Sequence, residues 1–419
     1  MGQATLGDVA DVVSGVGFPK DIQGNSDGEI PVFKVGDISI AVKSGTRYLR
    51  TSPNHLSKEE ARRLTTNLMP AGTIVFAKIG EGLKLNRRAV LAQPSLVDNN
   101  VMGLIPKANA VTSSYLYYFM QTVDLGTLSR ATAVPSVRKS DVVELSIPLP
   151  SLPLQDEIVA ELEKQFSRLD EAVANLKRVK ANLRRYKNSV LQSVTGGALA
   201  LDGSGVGDTV LWRWLTVEEL ASNEPRSIQS GPFGSNLKHS EFQPSGKLVI
   251  GIDNVQDGRF SLGSNHRISE AKFAELAKYA ARPRDVLITV MATVGRVCVV
   301  PADIEEAIIT KHVYRITVDR DVVVPEYLGI ALRGSKEVRA QLMDSVQGQT
   351  RPGLNGGLIK KIRVPIPPLV EQHRIVAEVE RRLSLLRGVE IEVDSNLKRA
   401  QALRQATLQH AFSTKGHHD

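Results

Sequence analysis

Two long stretches of the chain carry hydrophobic residues at seven-residue intervals. A repeat of this kind, sustained for about four heptads, is typical of a coiled-coil helix. Each stretch predicts a helix of roughly 40 residues, which would be about 60 Å long at 1.5 Å per residue. The hydrophobic positions that define the predicted seam are Leu162, Leu169, Leu176 and Leu183 in the first stretch, and Val379, Leu386 and Val393, with Leu397 on the adjoining position, in the second.

Charge is unevenly distributed along both predicted helices. The first carries most of its acids at residues 156–171 and a run of bases at residues 177–187, and in the second the acids end at Asp394. An antiparallel pair would place the acidic half of each helix beside the basic half of the other. The basic run is also compatible with a nucleic-acid-binding face or a solvated surface, but the leucine series passes through it and favours helix pairing.

The segment before each helix is nearly the same sequence. "IPLPSLPLQDEIVAELE" at residues 147–163 and "VPIPPLVEQHRIVAEVE" at residues 364–380 are separated by 217 positions and share nine identical residues. Their prolines cannot continue a helix towards the N-terminus, so they mark sharp helix boundaries. An internal duplication therefore defines the domains.

The regions before the two proline-rich segments are duplicated more weakly. "SGVGFP" at Ser14 parallels "SGPFGS" at Ser230, "IPVFKVGDI" at Ile30 parallels "KLVIGIDNV" at Lys247, and Tyr115 parallels Tyr327. These short β-rich runs, bounded by glycine and proline, predict a compact globule in each half. A glycine-rich stretch at residues 195–208 is typical of a flexible linker.

The sequence thus predicts an α+β protein. Two similar α/β globules are each followed by a long helix, and the two helices pair as an antiparallel coiled coil with pseudo-twofold repeat symmetry. The predicted boundaries are 1–146 for the first globule, 147–195 for the first helical spacer, 196–210 for the linker, 211–363 for the second globule and 364–415 for the second spacer.

Composition narrows the class of protein only moderately. The chain has 419 residues and a formal net charge of +8, which permits a nucleic-acid partner without demanding one. Its single cysteine, Cys298, lies in the apolar run "RVCVV", where a buried, unreactive thiol in a reducing compartment is expected. With no apolar run near the ~20 residues that span a bilayer, we expect a cytoplasmic protein without a membrane partner.

Motifs of familiar enzyme sites are missing from the sequence. It contains no G-x-x-x-x-G-K-[ST] phosphate loop, no G-x-G-x-x-G after a strand, no H-E-x-x-H and no paired C-x-x-C. The histidines do not occur at the i, i+4 spacing of a helical zinc site. The sequence therefore predicts neither catalytic residues nor a metal site.

Polar and basic residues recur at similar places in both globules. Arginine suits guanine, asparagine and glutamine suit adenine, and lysine suits phosphate, so these loops have the chemistry of DNA readout. The candidates in the first globule are Lys78, Lys84, Asn86, Arg87, Arg88, Ser136, Arg138 and Lys139. Those in the second are Ser235, Asn236, Lys238, Thr293, Arg296, Lys311, His312, Gln349, Arg351 and Asn355.

The whole arrangement resembles the specificity subunit of type I restriction-modification systems. The proline-rich segments with their "I-V-A-E-x-E" endings, "SGPFGSNLK" at Ser230, and the helix endings "VLQSVTGG" at Val190 and "LRQATLQHAFSTKG" at Leu403 carry the resemblance. The first globule departs from it, because it has "SGVGFP" where the second has "SGPFGS".

The resemblance implies a non-catalytic chain whose globules are target recognition domains, each reading one half of a split, asymmetric sequence in double-stranded DNA. The helices would fix the gap and bind two methylation subunits, which carry S-adenosylmethionine and flip an adenine. Restriction and translocase subunits, which use ATP and Mg²⁺, would complete the assembly. No cofactor is expected in this chain.

Three other interpretations stay open at this point. A related system, in which a similar subunit serves a fused nuclease-methyltransferase, would have the same sequence features. A coiled-coil scaffold whose globules bind proteins would bind DNA without regard to sequence. An enzyme with unrecognised motifs is disfavoured by the missing signatures.

Overall fold

The computed structural model describes residues 2–65, 67–129, 134–195, 212–263, 265–344 and 353–413. The chain forms two compact units, Met1–Leu176 with Ser395–Asp419, and Lys177–Asp394. Each unit thus combines one globule with a part of each long helix. The predicted linker, residues 196–210, lies outside the described residues.

The first globule is built from short strands and short helices. Its strands are β1 (Gly2–Thr5), β2 (Ala10–Ser14), β3 (Ile30–Phe33), β4 (Tyr48–Leu49), β5 (His55–Leu56), β6 (Ile74–Ala77), β7 (Arg88–Leu91), β8 (Leu96–Val97), β9 (Val101–Pro106) and β10 (Ser146–Leu149). Its helices are α1 (Leu6–Val9), α2 (Val35–Lys43), α3 (Lys58–Leu64), α4 (Glu81–Lys84), α5 (Ser113–Thr122) and α6 (Lys139–Val143), and the long helix α7 (Leu152–Thr195) follows.

The second globule repeats this plan with a few changes. Its strands are β11 (Arg213–Thr216), β12 (Ile228–Ser230), β13 (Lys247–Ile250), β14 (Val255–Gln256), β15 (Arg259–Phe260), β16 (Arg267–Ile268), β17 (Ala280–Ala281), β18 (Val286–Thr289), β19 (Val297–Val299), β20 (Ala307–Ile309), β21 (Val313–Ile316) and β22 (Arg363–Ile366). Its helices are α8 (Val217–Leu220), α9 (Glu270–Glu275), α10 (Pro325–Gly334), α11 (Lys336–Asp344) and α12 (Gly356–Lys361), and the long helix α13 (Leu369–Ala411) follows.

The main sheets of the two globules have equivalent strand orders. The first is β2-β9-β6-β7-β4 and the second is β12-β21-β18-β19. Beside them lie the smaller sheets β5-β3-β8 and β16-β13-β20-β17, in which β3 pairs with β8, and β13 with β20, in parallel. The central strands β6 and β18 are buried along their whole length, as their continuous apolar sequences require. The predicted α+β duplication is therefore confirmed.

The proline-rich segments form strands before the helices begin. β10 pairs antiparallel with β1, and β22 pairs in the same way with β11, so each predicted spacer starts within a two-stranded sheet. In both copies a buried tyrosine hydroxyl donates a hydrogen bond to a proline carbonyl of this strand, from Tyr115 to Pro148 (2.9 Å) and from Tyr327 to Pro365 (2.7 Å). These bonds tie the globule to the entry of the long helix.

A buried glutamine secures the first turn of each long helix. In α7, the Nε2 of Gln155 donates to the carbonyls of Ala110 (2.9 Å) and Pro150 (3.0 Å), and its Oε1 accepts from the backbone N–H of Thr112 (2.9 Å). Gln372 makes the same three kinds of bond at the start of α13. Both side chains are completely buried, so the repeated glutamine joins each helix to its own globule.

Antiparallel helix packing is visible within the first unit. Asp170 of α7 accepts a hydrogen bond from Arg404 of α13 (2.7 Å), whose guanidinium lies 4.2 Å from the ring centroid of Phe166. One helical turn further along α13, Leu408 and then Phe412 join the buried cluster that contains Phe166. Residue numbers thus rise along α13 as the neighbouring numbers on α7 fall.

The second unit contains the other part of the pair. Lys180 of α7 forms an ion pair with Asp394 of α13 (2.6 Å), and Lys187 forms one with Glu390. The basic late half of α7 therefore lies beside the acidic half of α13, as the charge pattern predicted. Of the predicted seam residues, Leu162, Val379 and Val393 are buried, and the other five are partly buried.

Candidate nucleic-acid interface

One edge of the first globule brings two distant loops together. The backbone N–H of Val137 donates to the carbonyl of Lys78 (2.9 Å), and that of Gly80 donates to the carbonyl of Pro135 (2.8 Å). The segment that carries Ser136 and Arg138 therefore runs alongside the end of β6.

This pairing encloses a shallow depression with a cationic rim. Its volume is about 290 Å³, and its lining residues are Ser14, Lys78, Ile79, Met102, Ser136, Val137, Arg138 and Lys139. Three cationic side chains and two hydroxyls can meet phosphate oxygens, while the apolar floor suits the edge or face of a base. Four predicted residues thus converge, and Ser14 is an addition that the repeated Ser-Gly pair could have signalled.

The same backbone pairing recurs in the second globule. The N–H of Leu354 donates to the carbonyl of Val290 (3.1 Å), and the N–H of Val290 donates to the carbonyl of His312 (3.0 Å). Asn355 follows Leu354 at an exposed position and caps α12 by accepting from the N–H of Leu358 (3.0 Å). Arg138, its counterpart in the first globule, occupies the corresponding cap position of α6.

A strained turn after β18 carries two further candidates. Ala292 and Gly295 have φ angles of 60° and 81°, and the Oγ1 of Thr289 accepts from the N–H of Arg296 (3.0 Å) while donating to the carbonyl of Thr293. A left-handed alanine persists only where its surroundings hold it, so the turn presents Arg296 in a defined place.

Two polar atoms at this edge are left without a protein partner. Within the described ranges, the Oγ1 of Thr293 and the Nδ1 of His312 are buried and make no hydrogen bond. Burial, and then the neighbouring charge of Lys311, lower the pKa of His312. The imidazole is therefore held mainly in its neutral form near pH 7, in which one ring nitrogen donates and the other accepts.

The loops after β2 and β12 are anchored by equivalent glycines. A Cβ at Gly15 would lie 1.9 Å from the carbonyl oxygen of Asp98, and one at Gly231 would lie 2.0 Å from that of Ile309. The difference between "SGVGFP" and "SGPFGS" therefore begins after a shared anchor. The predicted residues of the second loop, Ser235, Asn236 and Lys238, are all exposed.

Arg88 is a correction to the predicted interface. Its side chain is only 1% exposed, and its guanidinium donates to the carbonyls of Asn86 and Val123, so it stabilises the core and cannot reach DNA. Burial lowers its pKa to about 10. Arg88 opens the strand "RAVL", whose four residues are all buried, and that apolar run was the signal for burial.

Most of the remaining candidates either have a protein partner already or lie outside the described residues. Asn86 donates to the carbonyl of Val123 (3.3 Å) and accepts from the N–H of Leu125 (3.1 Å), so its amide holds the local backbone. Lys84 is exposed and pairs with Glu81 (2.7 Å), and Arg87 is partly exposed. Gln349 and Arg351 lie outside the described residues and stay predictions.

The described part of the chain holds no group of three or more His, Cys, Asp or Glu side chains that could bind a metal ion. No helix there is long and apolar enough to cross a membrane. Cys298 is buried, as the sequence predicted, and burial raises the pKa of its thiol to about 12.

A family model and individual relatives of the chain agree with one another. The sequence model of the type I restriction modification DNA specificity domain matches residues 2–182 and 237–386. The type I restriction enzyme EcoBI specificity subunit of Escherichia coli is 23% identical over 424 residues, which cover 97% of this chain and 84% of that subunit. The EcoKI specificity subunit of Escherichia coli strain K12 is 22% identical over 98% of this chain and 88% of its own length.

A solved structure shares the fold over nearly the whole length. It comes from work described as "Structural basis underlying complex assembly and conformational transition of the type I R-M system". The similar chain has a TM-score of 0.70 and 19% identity, and the match covers 99% of this chain and 97% of that one.

Proposed function

The chain belongs to the family of type I restriction-modification DNA specificity proteins, and we propose that each of its two recognition domains reads one half of a bipartite, asymmetric DNA sequence. The target is double-stranded DNA, with the edge that contains Lys78 and Arg138 facing the first half. The edge that contains His312 and Asn355 faces the second half.

One observation carries this proposal: the same backbone frame presents different side chains in the two globules. The hydrogen bond between Val137 and Lys78 has its counterpart between Leu354 and Val290. At the next position the first globule has Arg138 and the second has Asn355. Arginine matches guanine and asparagine matches adenine in the major groove, so one frame can read two different half-sites.

The long helices support a role in spacing. α7 has 44 residues and α13 has 43, so each corresponds to about 65 Å of helix at 1.5 Å per residue. Half-sites on one face of DNA lie about 34 Å apart, one helical turn. We propose that the antiparallel pair fixes the unspecified gap between the half-sites.

Exposed apolar residues on the long helices support the proposed docking of partner subunits. Val370, Leu385 and Ile391 on α13 are 76%, 65% and 68% exposed. We propose that two methylation subunits bind the helices and supply S-adenosylmethionine, and that restriction and translocase subunits supply ATP and Mg²⁺. In this proposal the chain itself is non-catalytic, binds no cofactor and acts in the cytoplasm.

Mapping of methylated adenines tests the proposal. The full chain is purified with the methylation subunit encoded beside it, supplied with S-adenosylmethionine, and incubated with random-sequence DNA. We expect a split motif with a fixed unspecified gap. Absence of methylation, together with DNA binding that ignores sequence, would contradict the proposal and favour a protein-binding scaffold.

A further inference from the structure

The loop after β12 carries an exposed aromatic side chain. Phe233, in "SGPFGS", is 76% exposed, whereas Pro232 before it is buried. Single exposed apolar residues are common on proteins, so exposure alone assigns nothing to this ring. The construction of the loop and its surroundings carry the inference.

Backbone contacts hold Phe233 in place. Gly231 lies so close to the carbonyl of Ile309 that only glycine fits, and this contact fixes the start of the loop. The N–H of Asn236 donates to the carbonyl of Phe233 (2.9 Å), which closes a turn. The N–H of Lys238 donates to the carboxylate of Glu241 (2.6 Å), which fixes the end of the loop. The ring therefore projects from an ordered loop.

The equivalent loop of the first globule has its phenylalanine one position further from the anchoring glycine, and in a different environment. Phe18, in "SGVGFP", is partly buried and packs against the cluster that contains Val32 and Leu56. The ammonium of Lys34 lies 5.1 Å from its ring centroid. The two loops start at equivalent glycines, but the phenylalanine ring is partly buried in the first copy and exposed in the second. Two unlike half-sites require a difference of this kind.

Cationic and hydrogen-bonding groups lie in the loop that carries Phe233 and beside it. The Nζ of Lys311 lies 3.3 Å from the position of a Cβ at Gly234, and Lys311 and Lys238 are both exposed. Ser235 and Asn236 occupy the same loop and are exposed as well. An exposed ring in a loop that contains Lys238 and lies beside Lys311 suits a surface that combines phosphates with an apolar group.

We propose that Phe233 is a specificity-determining residue that contacts the C5 methyl group of a thymine in the second half-site. Among the base edges of the major groove, thymine alone presents a methyl group, and phenylalanine is one of the side chains that contacts it. Lys238 and Lys311 would meet flanking phosphates and position the loop. This inference rests on the proposed function.

Replacing thymine by uracil removes only that methyl group and gives a sharp test. The chain, assembled with its methylation subunits, is titrated with duplexes that carry its mapped motif, with uracil at each thymine of the second half in turn. The variants are Phe233→Ala, Lys311→Ala and the matched control Ile40→Ala, which removes a similarly exposed apolar side chain (67% exposed) from α2 of the first globule. Binding is measured by fluorescence anisotropy at several salt concentrations.

We expect one uracil substitution to weaken binding of the unsubstituted chain about fourfold, the contribution of one buried methyl group. The same substitution should leave binding of Phe233→Ala unchanged, because the methyl group then has no partner. Phe233→Ala should keep the salt dependence of the unsubstituted chain. Lys311→Ala should weaken binding to all sequences alike and reduce the salt slope by about one. Ile40→Ala should keep both the uracil effect and the salt slope.

Several outcomes would overturn the inference. A uracil effect of equal size in Phe233→Ala would exclude the contact, as would a second half-site without thymine on either strand. Uniform weakening by Phe233→Ala across all sequences would assign the ring a positioning role. Loss of methylation-subunit binding in Phe233→Ala, with DNA preference intact, would assign the ring to a protein contact. If the unsubstituted chain selects no motif at all, the proposed function fails as well.

Discussion

Gln155 and Gln372 show why some residues recur in both halves of the chain. Each buried amide satisfies two backbone carbonyls and one backbone N–H, and these groups connect a loop of the globule to the first turn of its long helix. A buried polar group is tolerated only when it is paired, and three paired backbone groups restrict the amino acid to glutamine. These two repeated glutamines therefore maintain the frame on which the loops are built.

Substitution of Gln372 by leucine should destabilise the second unit. The change keeps most of the side-chain volume but leaves Val322, Val324 and Pro367 with unpaired backbone groups, so we expect a loss of about 3 kcal/mol in the free energy of unfolding. Urea denaturation followed by circular dichroism measures it. Gln165→Leu, which removes only an exposed bond to Glu161, is the matched control. Equal stability of the two variants would show that the buried amide contributes nothing.

Lys78 should act on phosphates without reading bases. Replacing it by alanine removes one cation from the rim of the depression, so affinity for all DNA sequences should fall together. The slope of log affinity against log salt should decrease by about 0.9, the value for one lost phosphate contact. Lys58→Ala is the control, because Lys58 is an exposed lysine of the same globule that lies outside this edge. A changed half-site preference in Lys78→Ala would instead make Lys78 a base-reading residue.

At the scale of elements, the long helices could be predicted from the sequence and the proline-rich strands could not. The seven-residue repeat and the uneven distribution of charge depend only on residues within one helix. They therefore predicted α7, α13 and their antiparallel pairing. The strand β10 depends on β1, whose sequence "GQAT" is short and more than 140 positions away. Prolines therefore predicted the helix boundary correctly and gave no sign of the strand.

The candidate interface could likewise be predicted only in part from the sequence. The polar character of Lys78 and Arg138 could be read from the sequence, but their adjacency depends on a backbone pairing between segments about 60 residues apart. The prediction that Arg88 contacts DNA was wrong because "NRRAV" was interpreted as a polar loop, whereas its second arginine already belongs to a buried strand. Register within a short strand decides which side chains face solvent, and the sequence does not specify it strongly.

The helix seam should control spacing and stability without controlling half-site identity. Leu169 packs against the core of the first unit and Leu176 is partly buried on the same side of α7, so changing both to alanine should cost about 3 kcal/mol of stability. We expect the mapped half-sites to stay the same while the gap between them becomes less uniform. Val179→Ala, an exposed position on α7, is the control. A clean switch of half-site identity in the double variant would contradict the spacing role.

At the scale of the whole molecule, the chain combines a repeated frame with divergent loops. The bonds of Tyr115 and Tyr327 to proline carbonyls, and the close approach of Gly15 and Gly231 to a neighbouring strand, are the same in both copies. The side chains presented on that frame differ. A duplicated reader with independent loops predicts that each half of the target can be changed alone.

Exchange of one globule tests that central claim most directly. Residues 1–146 are replaced by the first globule of a relative with a different mapped target. Residues 404–413 are taken from the same donor, because Phe412 packs on Tyr115 and Phe119. Methylated adenines are then mapped with the same methylation subunit. We predict that one half of the motif changes to that of the donor, while the other half and the gap are retained. A hybrid that changed both halves, or neither, would contradict the assignment of one half-site to each globule.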